Sequence, residues 1–433
     1  MNAERLTTPK DKVQQLQRQL GRAAKASKKR RFHALYDKVH RWDVLWAAWH
    51  RVRKNKGAAG IDRETIQDIE KLGVGSFLED IQRQLREKRY HPKAVRREYI
   101  PKDPAKTKFR PLGIPTVRDR VVQMATKMVL EPIFEEDFCD TSYGFRPGRN
   151  QKQALERIRK ACNRKGYWVL DADIQGFFDN INQDKLMMLV EMRVSDRRML
   201  KLLRKWLNAG VMEEGEVHTS ELGVPQGGVI SPLLSNIYLH YFDFLWERHG
   251  AHLGELTRYA DDFVIVSKTK KDAQHALKLT HQIMARLELS LHPTKTKLVS
   301  LWEGKEGFDF LGMHHRSAKA QTSQNKTYYT LQQWPCEKAM KSIRSKVKEG
   351  LAPPNRRSLS LKSHIAFLNP KIRSWKNYYT TPYSHRQMIQ LDWYILQRLA
   401  KWWARKVHKK TWIGMIATVR KMATDGGLLT LYA

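Results

Sequence analysis

The chain has 433 residues and carries 80 Lys and Arg against 44 Asp and Glu, a net charge of +36 that calls for a polyanionic partner, nucleic acid before an acidic membrane. It contains neither an apolar run of ~18 residues nor a signal-peptide pattern, which argues against the membrane. Its three cysteines, Cys139, Cys162 and Cys336, form no CxxC pair and its 16 histidines show no ligand spacing, which excludes a zinc or disulfide framework and fits a reducing cytoplasm.

Residues 1–40 hold 11 Lys and Arg against 3 acids, including Lys28-Lys29-Arg30-Arg31. They read as a basic extension, helical or partly disordered, whose basic run contacts RNA. From 41 to about 320, strand-like runs alternate with helical stretches such as Asp184–Met192 and Leu233–Trp246. Within this region Tyr167–Ile174 reads as a buried strand. Trp168, Leu170, Ala172 and Ile174 share one face, and Tyr167, Val169, Asp171 and Asp173 the other, so both acids point the same way. Alternation does not choose between them. Gly176 then relieves steric constraint before Phe177 and Phe178.

The run Gly223–Gly228 lacks the Lys and Ser/Thr ending of a phosphate-binding NTPase loop, and its glycines would let backbone approach a nucleotide. Ser231-Pro232 reads as the cap and first position of a helix. Next comes Tyr259-Ala260-Asp261-Asp262, followed by Phe263-Val264-Ile265-Val266, the pattern of a β-hairpin with two acids at its tip. Adjacent carboxylates repel each other and persist where a strong cation neutralises them, usually a divalent metal. A third carboxylate from elsewhere would allow two Mg²⁺ ions roughly 3.5 to 4 Å apart.

Small polar residues between Ser317 and Lys326 read as a loop, as does Leu351–Asn355. From Trp334 onward the pattern is helical. Around Trp393–Lys409, one stripe collects Trp393, Leu396, Ala400, Trp403 and Val407, which makes Trp393 and Trp403 core residues. The opposite face collects Arg398, Lys401, Arg405 and Lys409, a candidate RNA surface, and no acid occurs from 393 to 424. Residues 410–433 form a short basic tail.

Further motifs stand in order along the chain: Arg53-Lys54-Asn55-Lys56-Gly57-Ala58-Ala59-Gly60-Ile61-Asp62, Ile100-Pro101-Lys102, Arg110-Pro111-Leu112-Gly113-Ile114-Pro115, and Ser142-Tyr143-Gly144-Phe145-Arg146-Pro147-Gly148. After them come the Asp173 strand, Gly223-Val224-Pro225-Gln226-Gly227-Gly228, Ser231–Asn236, the Asp261-Asp262 hairpin, Lys295-Thr296-Lys297, Phe310-Leu311-Gly312, Leu368-Asn369-Pro370 and Trp375–Tyr379. Taken together they resemble the bacterial group II intron reverse transcriptases and maturases.

That resemblance implies an α+β right-hand polymerase, with fingers and palm over 41–320 and an α-helical thumb, the X or maturase domain, over 334–409. It implies RNA-directed DNA polymerisation, with Asp173, Asp261 and Asp262 holding two Mg²⁺ and Asp171 a non-catalytic neighbour. By the same carry-over, Lys102 and Arg110 contact the triphosphate, Phe178 crowds the sugar 2′ position, Gln226 lines the nucleotide pocket and Lys295 lies near it. The implied partners are group II intron RNA, an RNA template with a DNA primer, deoxynucleoside triphosphates and target DNA, in a bacterial cytoplasmic or nucleoid-associated ribonucleoprotein. Two alternatives are a host-adopted relative in DNA repair or phage defence and an RNA-binding splicing cofactor. Many relatives add an HNH endonuclease. The sequence shows no Cys/His constellation for one, so no bottom-strand nick is expected and the primer would come from a nascent strand or another DNA end.

Overall fold

The computed structural model describes residues 8–432 apart from 102–106, 108, 214–215, 219–221, 225–226, 322–326 and 352–357. The chain divides into two units that do not follow chain order: Met1–Asn150, Leu170–Ile265 and Lys271–Lys297 in the first, and Gln151–Val169, Val266–Lys270 and Leu298–Ala433 in the second. No helix among the described residues is long and apolar enough to cross a membrane.

In the first unit the basic extension is an ordered helix, Pro9–Ala26. Thr8 and Asp11 cap each other reciprocally at its start. Val13, Leu16, Leu20 and Ala24, spaced three or four apart, are buried. Lys28, Lys29, Arg30 and Arg31 follow the helix and are exposed. Part of this run is already engaged, since Lys28 Nζ lies 3.5 Å from Asp137 Oδ1 and the Arg30 guanidinium lies 5.2 Å from the Phe32 ring.

A sheet in the order Phe109–Ile114, Val95–Pro101, Val211–Glu213, Glu216–His218 pairs two of the sequence motifs, with Ile100 opposite Arg110. A second sheet runs Glu255–Tyr259, Asp262–Ser267, Trp168–Ala172, Lys297–Ser300. The helix Ser231–His249 packs on it through Phe242, whose ring centroid is 4.9 Å from that of Phe263. Ser231 is the first residue of that helix rather than its cap; Ile230 holds the cap position without a side-chain bond.

The second unit begins with the helix Gln151–Asn163. The Asn163 amide oxygen accepts from the Leu331 N–H, and Gln333 donates to the Leu155 carbonyl at 3.0 Å, tying this helix to a three-stranded sheet. That sheet runs Thr327–Pro335, Met313–Gln321, Gly307–Phe310. Ser317–Gln321 is therefore strand, not loop. Its small polar side chains are carried by backbone pairing that runs to Gln321 opposite Thr327, and Trp334 is also strand. Leu311 and Gly312 turn the hairpin with φ of 49° and 76°.

Four α-helices follow among the described residues: Glu337–Leu351, Leu361–Tyr379, His385–Lys406 and Ile416–Asp425. Tyr378 Oη donates to the Leu311 carbonyl at 2.7 Å, so the aromatic motif of the helical part holds the Phe310-Leu311-Gly312 turn. The expected apolar stripe of His385–Lys406 holds only in part: Ala400 is buried and Trp403 packs half-buried against the core, but the centre of the buried face lies elsewhere. Met388, Leu391, Ile395, Leu399 and Trp402 are buried against the neighbouring helices, while Trp393 is 42% exposed and Val407 lies past the helix end and is exposed too.

Candidate active site

Asp261 and Asp262 stand where the strand Glu255–Tyr259 turns into Asp262–Ser267, with Ala260 in the left-handed region at φ 59°. This strained turn is held from both sides. The Tyr143 N–H donates to the Arg258 carbonyl and the Arg258 N–H to the Thr141 carbonyl, at 2.9 and 2.8 Å. A Cβ on Gly144 would stand 2.3 Å from the Ala260 nitrogen, so only glycine lets the Ser142–Gly148 motif lie this close.

The second brace is Arg258. Its guanidinium is fully buried, paired with the equally buried Asp243, and donates to the Ala260 carbonyl at 2.8 Å and to Asn236 Oδ1 at 3.2 Å. Asn236 in turn donates to the Gly144 carbonyl at 2.8 Å. Sequence reading missed Arg258 and Asp243. The available signal was one acid inside the apolar stretch Tyr241–Trp246 and one base just before the hairpin tip, since isolated charges in buried elements need each other.

Asp173 comes off the end of Trp168–Ala172. Its carbonyl accepts from the His292 N–H at 2.8 Å, and Ile174 bridges to Leu291. This pairing fixes the turn Pro293–Thr296, and Lys295 Nζ reaches Asp173 Oδ2 at 2.5 Å. Burial raises the Asp261 carboxyl, and the charge of Asp173 adds to the rise while Arg110 opposes it. Although Asp262 keeps solvent access, the surrounding protein and the charges of Asp261 and Asp173 push it up to about 6, against the pull of Lys295 and Arg110. The charge of Asp173 thus acts on both members of the hairpin pair.

Among the described residues no three His, Cys, Asp or Glu side chains are drawn close enough to enclose an ion. Three mutually coupled carboxylates, two of them with raised pKa, nonetheless form a hard oxygen donor set that fits a divalent cation.

Phe178 lies on the turn Phe177–Asp179, which starts from left-handed Gly176 at φ 53°. Phe177 is core, whereas Phe178 is half-buried and meets it edge-on at 5.1 Å. The Phe178 carbonyl accepts from the Val224 N–H at 2.8 Å. Glycines of the Gly223–Gly228 run serve protein packing here: a Cβ on Gly223 would meet the Phe178 carbonyl at 3.0 Å, and one on Gly227 the Gly113 carbonyl at 2.4 Å. Lys102 and Gln226 lie outside the described residues.

Residues 100–315 match the family described as Reverse transcriptase (RNA-dependent DNA polymerase), and residues 340–418 match the Group II intron, maturase-specific domain. Protein YkfC of Escherichia coli (strain K12) is 37% identical over 292 residues, 59% of this chain and 74% of that one. The chain belongs to the group II intron-encoded reverse transcriptase/maturase family. The group II intron-encoded protein LtrA of Lactococcus lactis subsp. cremoris is 39% identical over 214 residues, 49% of this chain but only 35% of LtrA. A solved structure titled Partial Cas6-RT-Cas1--Cas2 complex contains a chain with 25% identity over 58% of this one and 42% of its own length, at a TM-score of 0.37. In terms of the family's architecture, the carboxylate site belongs to the reverse transcriptase region and the helix His385–Lys406 to the maturase-specific region.

Proposed function

We propose that the protein is an RNA-directed DNA polymerase that binds group II intron RNA, assists its splicing and copies it into DNA at a target site. The observation that carries the polymerase part is the coupling of Asp173 to Asp261 and Asp262 on a braced hairpin faced by Arg110 and Lys295. Asp173, Asp261 and Asp262 would hold Mg²⁺, which when bound supplies Lewis acidity toward the primer 3′ hydroxyl and neutralises charge on the phosphates.

The chain's own residues do the rest. Arg110, exposed on the strand paired with Val95–Pro101, offers a guanidinium for a triphosphate. Lys295 balances Asp173 and is positioned to turn to a phosphate oxygen. Phe178 puts a rigid ring beside the turn that follows Asp173, where a ribose 2′ hydroxyl would be crowded. Lys102 and Gln226 are assigned to the triphosphate and the nucleotide pocket by resemblance alone. Binding of intron RNA rests on the maturase-specific region and on the net charge of +36.

The test is primer extension on an RNA template with Mg²⁺. Asp261→Asn should abolish extension while leaving RNA affinity nearly unchanged, because binding rests on Lys and Arg elsewhere. Substantial cDNA from Asp261→Asn would sink the assignment.

A further inference from the structure

The helix Trp42–Lys54 buries Val44, Leu45, Ala48, Trp49 and Val52, which supply its core face. A second row of rings, Trp42, Trp46 and His50, recurs every four residues on another face. Trp42 and Trp46 are stacked with centroids 6.0 Å apart and planes 23° from parallel, and His50 meets Trp46 edge-on at 5.2 Å. The ends of this row face solvent, with Trp42 40% exposed and His50 exposed, and Trp46 between them is half-buried.

Trp46 and His50 line a cleft of about 570 Å³ between this helix and Pro9–Ala26, within the size range of ligand sites. Lys10, Arg51 and Lys54 also line it, and among the described residues no carboxylate does. The neighbouring cleft, which shares Gln17 and Arg51, sets Glu131, Glu135 and Glu136 against Arg18, Arg22 and Lys25, so its added cations are offset by carboxylates. The cations without carboxylate neighbours in the lining therefore stand on the aromatic side.

We infer that the Trp42–Trp46–His50 face binds an unpaired nucleic-acid strand, with bases stacking on the indoles and phosphates meeting Lys10, Arg51 and Lys54. Stacked aromatics beside cations recognise single strands with little sequence preference, because every base offers a π-face that a duplex would hide. The inference rests on the proposed function only in that the chain meets nucleic acid.

Fluorescence anisotropy on the full chain tests it with four labelled probes: twelve-nucleotide oligo(rA), the matching oligo(dA), an abasic strand of the same length, and a duplex hairpin. The parent should bind oligo(rA) more tightly than the abasic strand and the duplex; comparison with oligo(dA) separates RNA from DNA as the natural source. W42L/W46L should weaken oligo(rA) binding about 5- to 100-fold and leave abasic binding unaltered. W42F/W46F, which keeps the rings, should bind close to the parent. K10Q/R51Q/K54Q should lower the log-log salt slope by about 0.7 for each phosphate that is no longer neutralised. Parent-like binding by W42L/W46L, an equal loss on the abasic strand, an equal loss in the Phe variant, or an unchanged slope in the charge variant would each overturn the site. Primer extension by the parent is a separate readout. Its absence would refute the polymerase reading without touching the stacking result.

Discussion

Arg258 and Asp243 are both fully buried, and their pairing stands directly behind the carboxylates at the hairpin tip. Taking two charges out of water is costly, and the cost is offset only while each has the other and the remaining donors find acceptors, as at Ala260 and Asn236. Asp243→Ala removes one partner and leaves a buried guanidinium unopposed. It should destabilise the protein by about 3–5 kcal/mol, read from denaturant melting, and should lower extension beyond what the folded fraction explains. A loss under about 1 kcal/mol would show that the brace does not depend on the pair. At Phe178 the half-buried ring is the feature to test. Phe178→Val should raise ribonucleotide incorporation relative to deoxynucleotides, and unchanged sugar selectivity with intact polymerisation would make Phe178 packing only.

The helix His385–Lys406 shows why an amphipathic reading can place the right element with the wrong face inward. Apolar residues at 393, 396, 400, 403 and 407 and those at 388, 391, 395, 399 and 402 both satisfy helical spacing, because tryptophans and aliphatics occur nearly all round this helix. Burial favours the second set: Met388, Leu391, Ile395 and Leu399 join the cluster containing Ile343, Val347, Leu368 and Ile372, and from the first set only Ala400 does, with Trp403 packed half-buried against it. Ile395→Ala should therefore cost about 2–5 kcal/mol, whereas Trp393→Ala should stay near 1 kcal/mol or less, as thermal melting would show. The reverse order would restore the stripe expected from the sequence. The cationic face is also altered: Lys401 Nζ lies 4.7 Å from the Trp412 ring and Arg398 is half-buried, so Arg405 is the most accessible of the three for a phosphate.

Over the whole molecule, 80 basic residues against 44 acidic ones must be reconciled with a folded, concentrated charge. If intron RNA brings 6 to 10 phosphates against Lys and Arg, affinity should fall by about 10³ to 10⁵ between 50 and 200 mM salt, measured by filter binding or anisotropy. A fall of less than tenfold would mean that the charge serves solubility. The polyanionic partner, the acid strand and the Asp261-Asp262 hairpin were legible in the sequence, because net charge, period-two alternation and turn chemistry are local properties of the chain. So was the family, through motifs standing in fixed order. That the charge of Asp173 reaches the hairpin pair, which residues of the helix His385–Lys406 turn inward, and that a buried Arg258–Asp243 pair braces the turn were decided only by tertiary structure. Each depends on residues distant in sequence sharing one low-dielectric space, and neither periodicity nor composition records that proximity.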